Sequence, residues 1–174
     1  GQVLRVKGSQ LRPERQFGQV GFELIGAPSA AADAEAVLLA AEALEAIGVR
    51  ELSIDLNLPT LAPAIASGLG LDAEATAALV GALDRKDVAA VEQGAGRHAP
   101  VFVALLRAAG PARRAMERLA GLALPPAAAA ERDRLTEVVD LVLAAAPDLA
   151  LTVDPAEHRG FEYQLGYDFQ NFNG

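Results

Sequence analysis

Leu149-Ala-Leu-Thr-Val-Asp-Pro-Ala-Glu-His-Arg-Gly-Phe-Glu-Tyr-Gln-Leu165 runs an apolar strand pattern directly into a dense cluster of ionisable side chains. Leu149, Leu151 and Val153 alternate with Ala150, Thr152 and Asp154, so an extended backbone turns one face to apolar neighbours. Pro155 lacks a backbone donor and ends the strand. A loop then delivers Glu157, His158 and Arg159 together, and Gly160 permits a backbone angle or an approach that a side chain would block. Phe161, Tyr163 and Leu165 resume the alternation and put Glu162 and Gln164 on the opposite face. Two strands flanking a polar loop are expected here, and function is expected to be concentrated in that loop.

Upstream of this stretch, residues 60–148 are rich in Ala and Leu, are punctuated by Gly and Pro, and lack β-branched alternation. The pattern predicts short helices over 60–67, 73–83, 86–93, 99–109, 112–121 and 127–146. Arg113, Arg114, Glu117 and Arg118 recur at helical spacing and read as a solvated helix face. Before this region, residues 49–57 alternate again, with Leu52, Ile54 and Leu56 on one side and Ser53, Asp55 and Asn57 on the other. Residues 33–47 place Val37, Leu38, Ala41, Leu44 and Ile47 at helical spacing, with Gly48 as a stop. The order is strand, loop, strand, helix, strand, helical segment, strand, loop, strand. It predicts an α+β fold with an antiparallel or mixed sheet, in which 60–148 is a mostly helical insertion within one partial domain spanning 1–174.

The first two strands carry their own polar pattern. Residues 2–6 read as a strand and 7–16 as a loop, and between residues 1 and 16 Arg5, Lys7, Arg12 and Arg15 face a single acid, Glu14, a local charge of +3. Such a loop either attracts phosphate or carboxylate, or is solvated and pairs with acids elsewhere. Residues 17–26, read as extended, put Gln19, Gly21 and Glu23 on one face and Val20, Phe22 and Leu24 on the other. The polar face suits a ligand in which a cation or N–H offsets the desolvation of Glu23; it equally suits an exposed sheet face with a glycine bulge.

Composition limits the function classes. The chain has 174 residues, 52% of them hydrophobic, which excludes a disordered polymer and suits one domain with a sizeable core. Charged residues interrupt every long apolar run, so no membrane span and no membrane partner are expected, and the chain reads as soluble and cytoplasmic. Cysteine is absent and only two His are present, which removes disulfides, thiol nucleophiles and Cys-zinc sites and leaves little for a metal. A net charge of −8 argues against a broad nucleic-acid surface. The first residue, Gly1, lies inside an apparent strand without an initiator Met, which suggests a piece of a longer protein or the remnant of a cleaved tag.

Two segments together carry a family resemblance. Residues 3–26, VLRVKGSQLRPERQFGQVGFELIG, resemble the second signature motif of class II aminoacyl-tRNA synthetases in its histidyl form. Residues 158–163, His-Arg-Gly-Phe-Glu-Tyr, resemble that family's histidine-recognition motif, and the two stand in the order and approximate spacing the family uses. The resemblance implies a class II synthetase type of sheet, with Gln19 near the α-amino group of L-histidine, Glu23 near its imidazole and Arg159 near its carboxylate. It also implies Tyr163 and Gln164 shaping the imidazole end, and Arg5 as a possible phosphate ligand. Two departures matter. The synthetase has an ATP-holding acid two positions after the residue matching Arg5, where this chain has Lys7, and Gln164 replaces the second aromatic of the recognition motif. An acid exchanged for a cation reverses the charge that magnesium and ATP require.

The form Arg-Gly-Phe-Glu-Tyr looks most like the regulatory subunits of short-form ATP phosphoribosyltransferase, synthetase paralogues in histidine biosynthesis. This implies a non-catalytic histidine sensor without cofactor or metal. Its implied partner is a phosphoribosyltransferase catalytic subunit, with assembly into homo- and hetero-oligomers. The alternative is a catalytic-core fragment of a histidyl-tRNA synthetase.

Overall fold

The computed structural model describes residues 1–4, 15–158 and, for the backbone alone, 168–171. A short antiparallel ribbon comes first, formed by β1 (Gln2–Leu4) and β2 (Gln16–Gly18) with Val3 opposite Phe17. Helix α1 (Ala30–Ala46) follows, then β3 (Ser53–Asn57). The helical stretch contains α2 (Leu61–Gly68), α3 (Ala73–Asp84), α4 (Val88–Ala95), a 3₁₀ turn (Gly96–His98), α5 (Ala99–Ala108), α6 (Ala112–Ala120) and α7 (Pro126–Ala145), with the two-residue strand β4 (Gly110–Pro111) between α5 and α6. Strands β5 (Ala150–Asp154) and β6 (Asp168–Asn171) complete the order.

The sheet is mixed, in the order β4-β5-β3-β6. Strands β3 and β5 are parallel, with Ile54 beside Leu151 and Leu56 beside Val153, while β4 and β6 pair antiparallel on the two flanks. The alternation read from the sequence sets the faces. Ile54, Leu56, Leu151 and Val153 are buried in the same core as the helices, and Ser53, Asp55, Thr152 and Asp154 are half-buried on the opposite side.

The helices form where local chemistry favours them. Ser29, Asp72 and Asp87 each accept a backbone N–H at a helix start, from Ala32 (3.2 Å), Ala75 (2.8 Å) and Ala90 (3.0 Å). Pro126 opens α7, where a missing N–H costs nothing. Helix α7 buries Leu135, Val138, Val139 and Val142, and it lies along α1, whose buried positions include Ala30, Ala34, Val37 and Ala41. Arg134 reaches from α7 to Asp33 of α1 at 2.7 Å, and Thr60 donates to Glu131 at 3.1 Å. In α6, Ala112, Ala115, Met116 and Leu119 are buried while Arg113, Arg114, Glu117 and Arg118 are exposed, the solvated face that their spacing predicts.

Several boundaries differ from the sequence reading, among them that of the strand expected over 49–57, which starts at Ser53. Helix α1 starts at Ala30, three residues before the expected start, because Ser29 caps it. The helix expected over 86–93 starts at Val88, with Lys86 in the preceding turn and Asp87 as its cap. The strand expected over 17–26 is limited to Gln16–Gly18; residues 19–28 have no strand partner among the described residues, and Val20 and Ile25 are 99% and 85% exposed. The strand expected over 161–165 lies outside the described residues.

One packing constraint at the end of α2 is testable. A Cβ added at Gly68 collides with Cβ of Pro125 and lies 2.6 Å from its Cγ, and a proline ring has no flexible end to move aside. Gly68→Ala should therefore destabilise the protein by about 1–3 kcal/mol through overpacking, despite alanine's better helix propensity. Urea titration of the two proteins measures this, and an equal or higher midpoint for the alanine variant contradicts it.

Candidate functional site

A compact polar site forms where β5 ends and α3 meets the following turn. Asp154, the last residue of β5, accepts the N–H of Ala156 at 3.0 Å through Oδ1, while its Oδ2 meets Lys86 Nζ at 2.7 Å. Lys86 Nζ also stands 3.6 Å from Glu157 Oε2. Asp84, the last residue of α3, accepts the backbone N–H of His158 through Oδ1 at 2.7 Å. Asp84, Asp154, Glu157, Lys86 and the His158 imidazole are thereby gathered around one turn.

Beside this cluster, on the polar side of the sheet, Thr152 Oγ1 donates to Asp55 Oδ1 at 2.6 Å across the parallel register. Burial pushes the Asp55 carboxyl above its ordinary range and the Asp154 charge adds to this, while the Thr152 bond and Lys86 pull the other way. Asn57 ends β3 opposite Asp154 in the register; it is 1% exposed, and neither its Oδ1 nor its Nδ2 has a hydrogen-bond partner among the described residues. His158 Nε2 is likewise buried without a partner. Unpaired buried polar atoms are costly, and these two residues flag this end of the sheet as more than scaffold.

The sequence-predicted ligand residues fall into two groups. Gln19 and Glu23 lie in the exposed stretch after β2, and the backbone of Gln19 is tied to Gly1 by hydrogen bonds of 2.8 and 2.6 Å. Arg5, Arg159, Tyr163 and Gln164 lie outside the described residues, as does Lys7. Of the loop Glu157-His158-Arg159, the structure fixes the first two members and shows what holds them. Asp84 and Lys86 were not among the sequence candidates. The run Asp84-Arg85-Lys86-Asp87 between two helical patterns was the available signal, since a charged break between helices is where side chains can reach a neighbouring strand. Among the described residues no group of three or more His, Cys, Asp and Glu is placed to hold a metal ion, and no helix is long and apolar enough to cross a membrane.

This fold, an α+β architecture whose mixed sheet carries a long helical connection, is of the class II synthetase type. A family model described as histidyl-tRNA synthetase matches residues 1–174, and the chain belongs to that family. Within it, the chain is 58% identical over 172 residues to the ATP phosphoribosyltransferase regulatory subunit of Paramagnetospirillum magneticum, a match covering 99% of this chain and 45% of that protein. The chain thus spans about half the length of the curated relatives it matches. Among solved structures, a protein from Bacillus halodurans described as an ATP phosphoribosyltransferase regulatory subunit/histidyl-tRNA synthetase superposes with a TM-score of 0.83 at 22% identity, over 99% of this chain and 46% of that one. A chain from an ATP phosphoribosyl transferase complex of Thermotoga maritima gives a TM-score of 0.66 at 14% identity, over 84% and 52%.

The His158 imidazole sets a pH dependence. Burial lowers its pKa from the ordinary 6.5 and Lys86 adds to this, while Asp84, Glu157 and Asp154 oppose the shift. Because the unfolded chain binds this proton more readily, the contribution to stability is intact above about pH 6.5 and declines as pH falls towards the lower native value. Asp55 acts in the opposite sense over a window above its ordinary 3.8, so the two are separated by mutation. The unfolding free energy of the wild type relative to His158→Gln should fall between about pH 7 and pH 5; parallel pH curves for the two proteins contradict this.

Proposed function

We propose that this chain is the synthetase-like part of a non-catalytic, cytoplasmic regulatory subunit of ATP phosphoribosyltransferase, one that binds L-histidine and docks on the catalytic subunit in a hetero-oligomer. In this reading 1–174 form one partial domain and the helices between β3 and β5 are an insertion in it. The observation that carries the reading is the 58% identity through 99% of the chain to a regulatory subunit of that name. Lys7, where the synthetase carries an ATP-holding acid, supports loss of adenylation, and Gln164 in place of an aromatic supports divergence of the recognition motif.

The ligand chemistry follows from the side chains. Arg159 offers a planar pair of donors to a carboxylate, Glu23 accepts an imidazole N–H, and Gln19 donates and accepts around an α-amino group. Feedback by histidine requires that it bind the inhibited arrangement of the assembly more tightly than the active one. A Lys ammonium does not reproduce the two-pronged donor, so Arg159→Lys should shift the histidine inhibition curve of the reconstituted complex to higher concentration while leaving activation without histidine intact. An unshifted curve excludes Arg159 as the carboxylate ligand.

Two further measurements bear on the reading. Glu23→Ala in the full-length protein should weaken histidine binding by roughly 1.5–3 kcal/mol, the range for a hydrogen bond to a charged group; unchanged calorimetric affinity in the folded variant removes Glu23 from the site. The full-length protein should also catalyse no histidine-dependent pyrophosphate exchange. Exchange above background would instead establish the synthetase alternative, which the family model's description keeps in view.

A further inference from the structure

Five arginines between Arg97 and Arg118 face a single acid, Glu117, a local charge of +4 in a chain of −8. A solvated helix face ordinarily offsets such charges with opposite ones a turn away. Here Arg107, Arg113, Arg114 and Arg118 pair with no carboxylate among the described residues, although Glu117 stands at helical spacing from Arg113 and Arg114. Two of the four meet at a groove. Pro100, Ala104 and Arg107 follow one another along α5 at steps of four and three residues, and with Arg118 of α6 they line a surface groove of about 600 Å³. Arg118 Nη1 donates to the backbone carbonyl of Arg107 at 2.7 Å, which satisfies a carbonyl in the last turn of α5 and holds the guanidinium beside the groove. The other N–H donors of Arg118, and the whole guanidinium of Arg107, have no hydrogen-bond partner among the described residues.

We propose that this groove binds a small phosphorylated ligand, with the guanidiniums of Arg107 and Arg118 holding its phosphate oxygens and Pro100 and Ala104 seating its less polar part. A guanidinium presents a planar fork of donors that fits phosphate oxygens, and it is more weakly hydrated than an ammonium, so less is lost when the anion displaces water. The volume lies within the range of small-molecule sites, and the short side chains of Pro100 and Ala104 leave the groove open. Arg114, one turn before Arg118 on α6, adds a charge that raises the local concentration of anions. The net charge of −8 repels an extended polyanion, whereas a groove of this size admits a compact one. None of these residues is assigned to histidine, so the proposal stands or falls apart from that reading.

Calorimetric titration of the full-length protein with inorganic phosphate and with pyrophosphate tests the site. The wild type should bind pyrophosphate, and more tightly than phosphate, because it brings more charge and more acceptor oxygens to the two guanidiniums. Arg107→Ala should bind it about tenfold more weakly, the scale of one lost charge-assisted hydrogen bond, while melting at the wild-type temperature, since that side chain has no partner to lose among the described residues. Arg118→Lys keeps a charge and a donor for the Arg107 carbonyl, yet should also bind more weakly because the fork is gone. Arg50→Ala removes an exposed cation outside the groove and should bind as the wild type does. A wild-type protein that takes up neither anion overturns the proposal, and one that instead binds a single-stranded RNA oligonucleotide reassigns the patch to nucleic acid. Wild-type pyrophosphate affinity in either Arg107→Ala or Arg118→Lys overturns it too, as does an equal loss in Arg50→Ala, which would reduce the effect to attraction by overall charge.

Discussion

The parallel pairing of β3 with β5 is the constraint on which the rest of the structure depends. Parallel neighbours cannot be joined by a tight turn, because the chain must travel back to the starting end of the first strand before it can run alongside it. Here the return path is the whole helical segment between Asn57 and Ala150. That segment must cover the apolar face made by Ile54, Leu56, Leu151 and Val153, and it does so within one core that also includes Phe102, Leu105, Leu119 and Leu135. Helix α7 brings the chain back along α1, so the alanine-rich α1 is held by the connection.

A consequence of this crossover is that the end of β5 meets the end of α3, where Asp154 pairs with Lys86. Magnitudes decide what that meeting means. Lys86 is partly exposed, and ion pairs of that kind contribute about 0–1 kcal/mol, while a left-handed non-glycine residue costs about 1–2 kcal/mol. The two nearly cancel or leave a small deficit, so global stability does not account for a lysine at this position. The amide of Asn57 and Nε2 of His158, both buried without a hydrogen-bond partner among the described residues, add to the local cost at the same end of the sheet.

The N-terminal ribbon has a different character. Gln19 and Glu23 sit among Val20, Phe22, Leu24 and Ile25, all exposed, on backbone with no strand partner among the described residues. An alternating sequence specifies which residues share a face of a strand; it does not supply the neighbour that makes the strand. The same stretch therefore reads as a strand from its pattern and ends as one only as far as Gly18.

By itself the sequence determined the elements and their faces. The spacing of Leu and Ala placed the helices within one or two residues of their observed spans at most positions, and period-two alternation put Ile54, Leu56, Leu151 and Val153 inward, because helix and strand periodicities are local properties of the backbone. The motifs at residues 3–26 and 158–163 also pointed to the family that the whole chain matches. What only the tertiary structure decided is which elements are neighbours: that β3 and β5 run parallel, that Pro125 closes on Gly68, and that Asp84 and Lys86 reach His158 and Asp154 from the far side of a long connection. The reason is physical. These contacts join residues between 57 positions apart, for Gly68 and Pro125, and 97, for Ile54 and Leu151, and no local periodicity encodes a meeting that exists only once a shared core has closed the loop between them.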